Sequence, residues 1–239
     1  MNPQYTSASL AEYYTRYTTR DPARIMNGYR KSRMERTRLN LRLLMKFMKK
    51  EGRFFSIGCG DGLELVLARD LGLKVEAFDV DPITAAAVQT ATGIPVLTDD
   101  LFEMALPRSA YDCVFLDQVL EHPKKPADYL RLIHELLVPG GICYIGVPNI
   151  GSISNRWKAI RDLTGLRPRA HVGRQYDSWH HLHYYQPRSF RKVLEPLFGL
   201  RIVAILGDPL PTWNAMAYHL RRTVPLFDSN MVVIAQKIF

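Results

Sequence analysis

Long apolar runs are missing from this 239-residue chain: nowhere do about 18 consecutive apolar residues occur, so no membrane-spanning helix is expected. The opening stretch, MNPQYTSASLAEYY, lacks the apolar core of a secretory leader, and the expectation is a cytoplasmic protein. Cysteine is scarce. Cys59, Cys113 and Cys143 fall in apolar, strand-like settings without CxxC spacing, which argues against a disulfide framework or a thiolate zinc site and for buried free thiols. No internal repeat or low-complexity tract is found. What remains argues against disorder, since 47% of the residues are apolar and 23% charged, ordinary values for a globular protein. The length suits one α/β domain with elaborations better than two domains with separate cores.

Acid is what the first fifty residues lack. They hold twelve Lys/Arg against three Asp/Glu, whereas the rest holds twenty of each, so the whole net charge of +9 arises in this segment. Such a cluster either steers an anionic partner (nucleic acid, a phosphorylated metabolite, a membrane surface) or is a solvated helix face. Residues 33–49, RMERTRLNLRLLMKFMK, place Met34, Leu41, Leu44, Met45 and Met48 near one helix face, with Arg38, Arg42, Lys46 and Lys49 mostly elsewhere. Residues 1–50 therefore read as a basic helical extension whose methionine stripe covers apolar surface.

Residues 51–239 read as the main domain. Short apolar runs at 53–57, 74–79, 94–97, 112–117 and 141–147 are expected strands. Helical patterns at 62–71, 82–91 and 126–137 lie between them, the last stopped by VPGG with Pro139 and Gly140. This rhythm means an α/β fold with a doubly wound, mainly parallel sheet. Ligands in such folds bind beyond the C-terminal strand ends, near the point where strand order reverses. The rhythm breaks at 148–186, a lid-like insertion rich in Arg, Trp, Tyr and His. A helix at 187–198, a strand at 200–207 and a last strand in NMVVIAQKIF complete the chain.

The stretch FFSIGCGDG, residues 54–62, packs three glycines into five positions behind a strand and ahead of a helix. An adenosine-type ligand laid against bare backbone needs that clearance, and amides at a helix N-terminus can point at it. Glycines also serve ligand-free turns, so the loop alone is weak evidence. A second strand ends about twenty residues on in VEAFDVDP, where Asp79 can accept bonds from both hydroxyls of a ribose. Asp81, directly before Pro82, suits a helix N-cap better. This spacing fits a nicotinamide cofactor as well as S-adenosylmethionine. The loop departs from GxGxxG, and Asp61 at the helix entrance would repel a pyrophosphate while tolerating a sulfonium that carries an amino group.

From about residue 53 to 205 the sequence resembles the class I S-adenosylmethionine-dependent methyltransferases. SIGCGDG resembles the first motif of that family and AFDVDP its acidic second. TDDLFEMALPRSAYDCVFLDQVLEH resembles the third and fourth, LLVPGGICYIGVPN the fifth strand and its approach. HHLHYYQPRSFRKVLEPLFGLRIV is similar to the tail of the ubiquinone-type and sugar-modifying O-methyltransferase branches. The resemblance implies a seven-stranded Rossmann-like sheet with its last strand antiparallel, and S-adenosylmethionine as the donor, released as S-adenosylhomocysteine. Carried over by position, Gly58, Cys59, Gly60 and Gly62 line the methionine and ribose portion, Asp79 and Val80 the ribose, Asp100 and Leu101 the adenine edge and face. Asp117 lies near the methionine moiety and the transferred methyl. One position departs: Ser56 stands where the family commonly carries an acid, which leaves Asp61 or Glu64 to compensate.

Methyl transfer to a hydroxyl also needs a base, and histidine is the natural one near neutral pH. His181, at the histidine position of the tail motif within the cluster His180, His181 and His183, is the expected base or substrate orienter, with His122 second. His122 can equally hold its turn. The cluster could bind a metal with Asp117, but HHxH spacing is not diagnostic, and the metal is left open. Arg156, Arg161, Arg167, Arg169 and Arg174, interleaved with Trp157, Tyr176 and Trp179, suit an anionic acceptor such as a nucleotide-linked sugar or phosphorylated lipid. The basic amphipathic stretch ISNRWKAIRDL could also rest on a membrane surface. The leading expectation is O-methylation of a small, glycan-type or lipid-linked acceptor by a monomer or homodimer. An RNA methyltransferase is the second reading; the absence of an Asn-Pro-Pro-Tyr-type signature leans towards oxygen. A non-catalytic binding protein on the same fold is the third.

Overall fold

The computed structural model describes residues 30–48, 51–163, 181–212 and 214–238. Its elements run α1 (Lys31–Leu44), β1 (Arg53–Ile57), α2 (Leu63–Asp70), β2 (Lys74–Phe78), α3 (Pro82–Thr92), β3 (Val96–Leu97), β4 (Tyr111–Asp117), α4 (Pro126–Leu136), β5 (Leu137–Pro148), α5 (Ile153–Leu163), α6 (Pro187–Phe198), β6 (Leu200–Gly207), α7 (Ala215–Thr223) and β7 (Asn230–Lys237). The seven strands form one sheet in the order β3-β2-β1-β4-β5-β7-β6. Neighbours from β3 to β5 pair in parallel; β7 is antiparallel to both β5 and β6.

The apolar runs that announce these strands reflect burial on both faces. Alternate residues divide between two cores: Phe54, Cys113, Phe115, Ile142 and Tyr144 go to one face, Phe55, Val114, Leu116, Cys143 and Ile145 to the other. Helices α1, α2 and α3 cover the first face through Leu41, Leu44, Leu65, Ala68 and Val88. Helices α4 and α6 cover the second through Leu130, Ile133, Phe190 and Leu194. The three cysteines are free and buried, as their settings imply.

The helix ends follow local chemistry. Asp81 caps α3, accepting from the amides of Ile83 and Thr84, with Pro82 in the first turn and Gly93 closing the helix at φ 69°. Helix α6 starts at Pro187 and closes on Gly199 at φ 62°.

Three boundaries differ from expectation. The third strand is only Val96–Leu97: Pro95 has no amide to offer and contributes its carbonyl to Ala77 N instead. Helix α4 ends at Leu136, and Pro139 and Gly140 lie inside the extended start of β5, which begins at Leu137, not at 141. Helix α1 covers Lys31–Leu44, starting and ending earlier than the expected 33–49. No helix among the described residues is long and apolar enough to cross a membrane.

The chain starts in the middle of the sheet at β1, moves outward to β3, then returns to β4 on the other side. Strand order therefore reverses between β1 and β4, and the loops after these strands face one another.

Candidate active site

Gly58, Gly60 and Gly62 all adopt the left-handed region, at φ 75°, 53° and 71°. Their surroundings differ. A Cβ on Gly58 would stand 2.6 Å from Val119 Cγ2 and one on Gly62 2.7 Å from Val88 Cγ1, whereas at Gly60 nothing lies within 4 Å. Two of the three glycines thus make room for the protein's own side chains, and Gly60 alone faces open space.

Asp79 ties the next strand to this loop. Its Oδ2 accepts from Gly60 N at 2.8 Å and its Oδ1 from Asp81 N at 3.0 Å. Burial pushes its carboxyl up, and these two amide bonds pull the other way. Val80 beside it is exposed. Cys59 is buried in the core, where burial pushes its thiol well above the ordinary range. Asp100 spends one oxygen on Phe102 N at 2.9 Å, in its own turn. Leu101 is buried in the second core, the one that also holds Phe55, Ile57 and Phe78, while Phe102 next to it is half exposed.

Ser56 is buried at the base of the loop and donates to Glu64 Oε1 at 2.9 Å. A carboxyl therefore does sit beside the position where the family commonly has one, supplied from α2. Burial pushes Glu64 up to about 8, with the Ser56 bond pulling down.

Asp117 ends β4. A Cβ on Gly146 of β5 would collide with Asp117 Oδ1, so the glycine leaves this carboxylate its present position. Oδ1 is buried without a hydrogen-bond partner, and Oδ2 meets Arg36 at 3.1 Å. Burial raises this carboxyl to about 6 against the pull of Arg36. Gln118, which follows, holds φ 59° as a non-glycine, strain of the kind that gathers at functional turns.

Helix α1 supplies what the sequence reading missed. Arg33 grips Asp61 with both guanidinium nitrogens, one bond at 2.8 Å. Arg36 bridges Asp117 and Asp208, the latter at 3.2 Å, and Asn40 donates to Tyr144 Oη at 2.7 Å and Asp208 Oδ1 at 3.0 Å. Part of the N-terminal charge is thus spent inside the molecule, and Asp61, neutralised by Arg33, is a weaker argument against a pyrophosphate than its position suggests. The signal was present as a polar stripe at positions 33, 36, 37 and 40, helical spacing beside the apolar face.

The two histidine candidates prove to be neighbours. Ring centroids of His122 and His181 stand 5.0 Å apart, and a carboxylate oxygen of Glu121 lies within 4.8 Å of a nitrogen of each. Glu121 is fully buried; burial pushes its carboxyl up to about 8. Its backbone carbonyl accepts from Leu182 N at 2.9 Å and His183 N at 3.0 Å, and Tyr185 Oη donates to Leu120 O at 3.0 Å. The acid that completes this cluster is Glu121, not Asp117, which is paired with Arg36. The backbone amide of His122 closes a turn on Val119 O at 3.0 Å, which leaves its ring facing that of His181. Of the lid residues, Arg156 and Trp157 are exposed on α5; Arg167, Arg169, Arg174, Tyr176, Trp179, His180 and the side chain of Arg161 lie outside the described residues.

A family model described as a methyltransferase domain matches residues 26–205, some three quarters of the chain. The chain belongs to the methyltransferase-domain family. Curated relatives of this methyltransferase domain include a ubiquinone biosynthesis O-methyltransferase from Caulobacter vibrioides, 33% identical over 39% of each chain. Another is a ribosomal protein L11 methyltransferase from Thermus thermophilus, 28% identical over 56% of this chain and 53% of the relative. The chain spans about a third to a half of the length of the curated relatives it matches. Among solved structures, a SAM-dependent methyltransferase from Archaeoglobus fulgidus superposes with a TM-score of 0.59, covering 85% of this chain and 94% of its own at 20% identity. The fold expectation, a seven-stranded Rossmann-like sheet, is met. S-adenosylmethionine is the cofactor that the family and these relatives imply. The residues present fit it: open space over Gly60, and carboxylates at Asp79, Glu64 and Asp117 for a ligand with hydroxyls and two positive charges.

Proposed function

We propose that this methyltransferase domain transfers a methyl group from S-adenosylmethionine to a hydroxyl oxygen of a small, glycan-type or lipid-linked acceptor. When bound, the cofactor supplies an electrophilic methyl on a sulfonium. In this reading Gly60 and Asp79 hold the ribose, Asp100 and Leu101 serve the adenine, and Asp117 with Glu64 faces the cationic methionine end. Arg33 and Arg36 bring positive charge over the same end, suited to a carboxylate. Attack on a sulfonium methyl is an in-line displacement, so alignment of acceptor and methyl is the larger part of the task. A hydroxyl must also lose its proton, and His181 is the group assigned to receive it, with His122 beside it.

The single observation that carries this reading is the short segment 117–122. It runs from Asp117, through Val119 against Gly58, to His122, whose ring lies 5.0 Å from that of His181, and so links the donor loop to the group assigned as proton acceptor. The test is transfer of an isotopically labelled methyl to hydroxylated aromatics, nucleotide-linked sugars and total RNA in parallel, with donor binding followed by calorimetry. Label on a hydroxyl compound is expected. Label on RNA alone, with affinity falling steeply in salt, would replace the acceptor class. Failure to bind the donor at high concentration would favour a binding protein on this fold.

A further inference from the structure

We propose that Glu121, His122 and His181 bind one divalent transition-metal ion. The argument starts from Glu121. Its side chain is fully buried, and neither carboxylate oxygen has a hydrogen-bond partner. A buried carboxyl without partners is costly whether ionised or not, because an ionised one needs a compensating charge and a protonated one still carries a donor to satisfy. Its surroundings supply imidazoles: His122 Nε2 stands 4.0 Å from Oε1, and one ligand atom each from Glu121, His122 and His181 lie within 4.8 Å of one another. Ligand atoms around a tetrahedral zinc at about 2.0–2.1 Å are roughly 3.4 Å apart, so rotation of the rings by about an ångström closes the set.

The backbone already holds these residues in place. Leu182 N and His183 N both donate to the carbonyl of Glu121, which fixes the segment carrying His181 against the one carrying Glu121 and His122. Tyr185 secures the same junction through its hydroxyl on Leu120 O, and its bridge to Asn149 ties the segment to the end of β5 as well. Backbone anchoring of this kind is what keeps ligands oriented.

The donor set selects the ion. Two imidazoles and one carboxylate suit Zn²⁺, Co²⁺, Mn²⁺ or Fe²⁺, while Mg²⁺ and Ca²⁺ prefer all-oxygen sites. Three protein ligands leave coordination positions open, the pattern of catalytic metals. Binding does not depend on the methyl-transfer reading; its consequence does. An acceptor hydroxyl taken up by the ion loses its proton to solvent more readily, the oxygen pair forms the bond to the methyl carbon, and sulfur keeps the electrons of the broken C–S bond. The imidazoles then act as ligands, and His181 need not take the proton itself.

The test uses the tag-free full chain, dialysed against a chelator and then titrated with Co²⁺ in the absorption spectrometer, with Zn²⁺ as competitor. One Co²⁺ per chain with visible ligand-field bands, displaced by one Zn²⁺, is the expected result. Glu121→Gln and His181→Ala should each weaken Zn²⁺ binding by about 100-fold or more, and Zn²⁺ should raise the Tm of the wild type but not of either variant. Should Glu121→Gln fail to fold by circular dichroism, His181→Ala carries the comparison. Absence of the bands with no Zn²⁺ retained after desalting overturns the site, as does equal binding by wild type and variants. Calorimetry with S-adenosylmethionine on the same samples separates the two readings: donor binding without Zn²⁺ binding removes the metal and leaves methyl transfer standing, and Zn²⁺ binding without donor binding does the reverse.

Discussion

Around the glycine loop of the donor side the chain answers its own polar groups, although Asp117 Oδ1, farther along at the end of β4, is left without a partner. Asp79 gives both oxygens to amides, Asp81 caps α3, Glu64 takes the Ser56 hydroxyl and Asp61 is gripped by Arg33. On the acceptor side, around 121 and 181–185, the described residues include a fully buried Glu121 with two unanswered oxygens and a His183 with an unanswered Nε2. The first region is preorganised around a ligand of fixed shape. The second is built with unmet demand, as expected where something from outside completes the chemistry.

The difference is broken most severely at Asp79. Asp79→Ala leaves Gly60 N and Asp81 N without their acceptor and removes the hydroxyl partner of the ribose, so calorimetry should show donor affinity lost by at least about 100-fold, two charge-assisted bonds at about 1.5–3 kcal/mol each. His181→Ala should do the converse. It is expected to slow transfer by about 100-fold or more while donor affinity stays within about twofold. Normal turnover in that variant would remove His181 from the reaction.

The glycines sharpen the donor side from within. Gly58→Ala meets Val119 at 2.6 Å and a left-handed φ, so chemical denaturation should show a loss of about 2–4 kcal/mol, part of it restored by adding Val119→Ala. Gly60→Ala carries only the conformational cost, about 1–2 kcal/mol, because its Cβ meets nothing. Its effect should instead appear in donor affinity. Equal stability losses in the two variants would contradict the distinction drawn between them.

Much of the donor side is legible in the sequence because it is made by backbone. Positive φ demands glycine, a cap demands Asp81 ahead of Pro82, and a carboxylate after the second strand follows from the ribose. Helix α6 and strand β6 match the expected 187–198 and 200–207 for the same reason, Pro at one end and Gly at the other. What sequence could not give is where a helix lies on the sheet. Arg33, Arg36 and Asn40 read as a polar stripe, yet only packing of α1 across the strand ends brings them to Asp61, Asp117 and Asp208. Glu121 was visible between Leu120 and His122, but its burial depends on contact with residues some sixty positions away. Nor does periodicity distinguish a helix stop from an extended start at Val138-Pro139, since proline permits both.

The smallest effect concerns Glu64, and it tests whether this carboxyl stands in for the acid missing at position 56. Burial raises it from 4.5 to about 8, so between these values the folded chain keeps a proton that the unfolded chain releases. Stability from this group is therefore complete below about pH 4.5 and is lost as pH rises through about 8, with a slope of at most about 1.4 kcal/mol per pH unit. Urea unfolding across this window should show a steeper slope in the wild type than in Glu64→Gln; Glu121 contributes equally to both and cancels in the difference, whereas Asp117, whose charge helps to raise Glu64, is coupled to it. Adding S-adenosylhomocysteine places an ammonium near the loop, and a carboxyl that pairs with it falls in pKa, which flattens the difference curve. A difference curve unchanged by that ligand would mean that Glu64 serves Ser56 alone and that the charge at position 56 has no substitute.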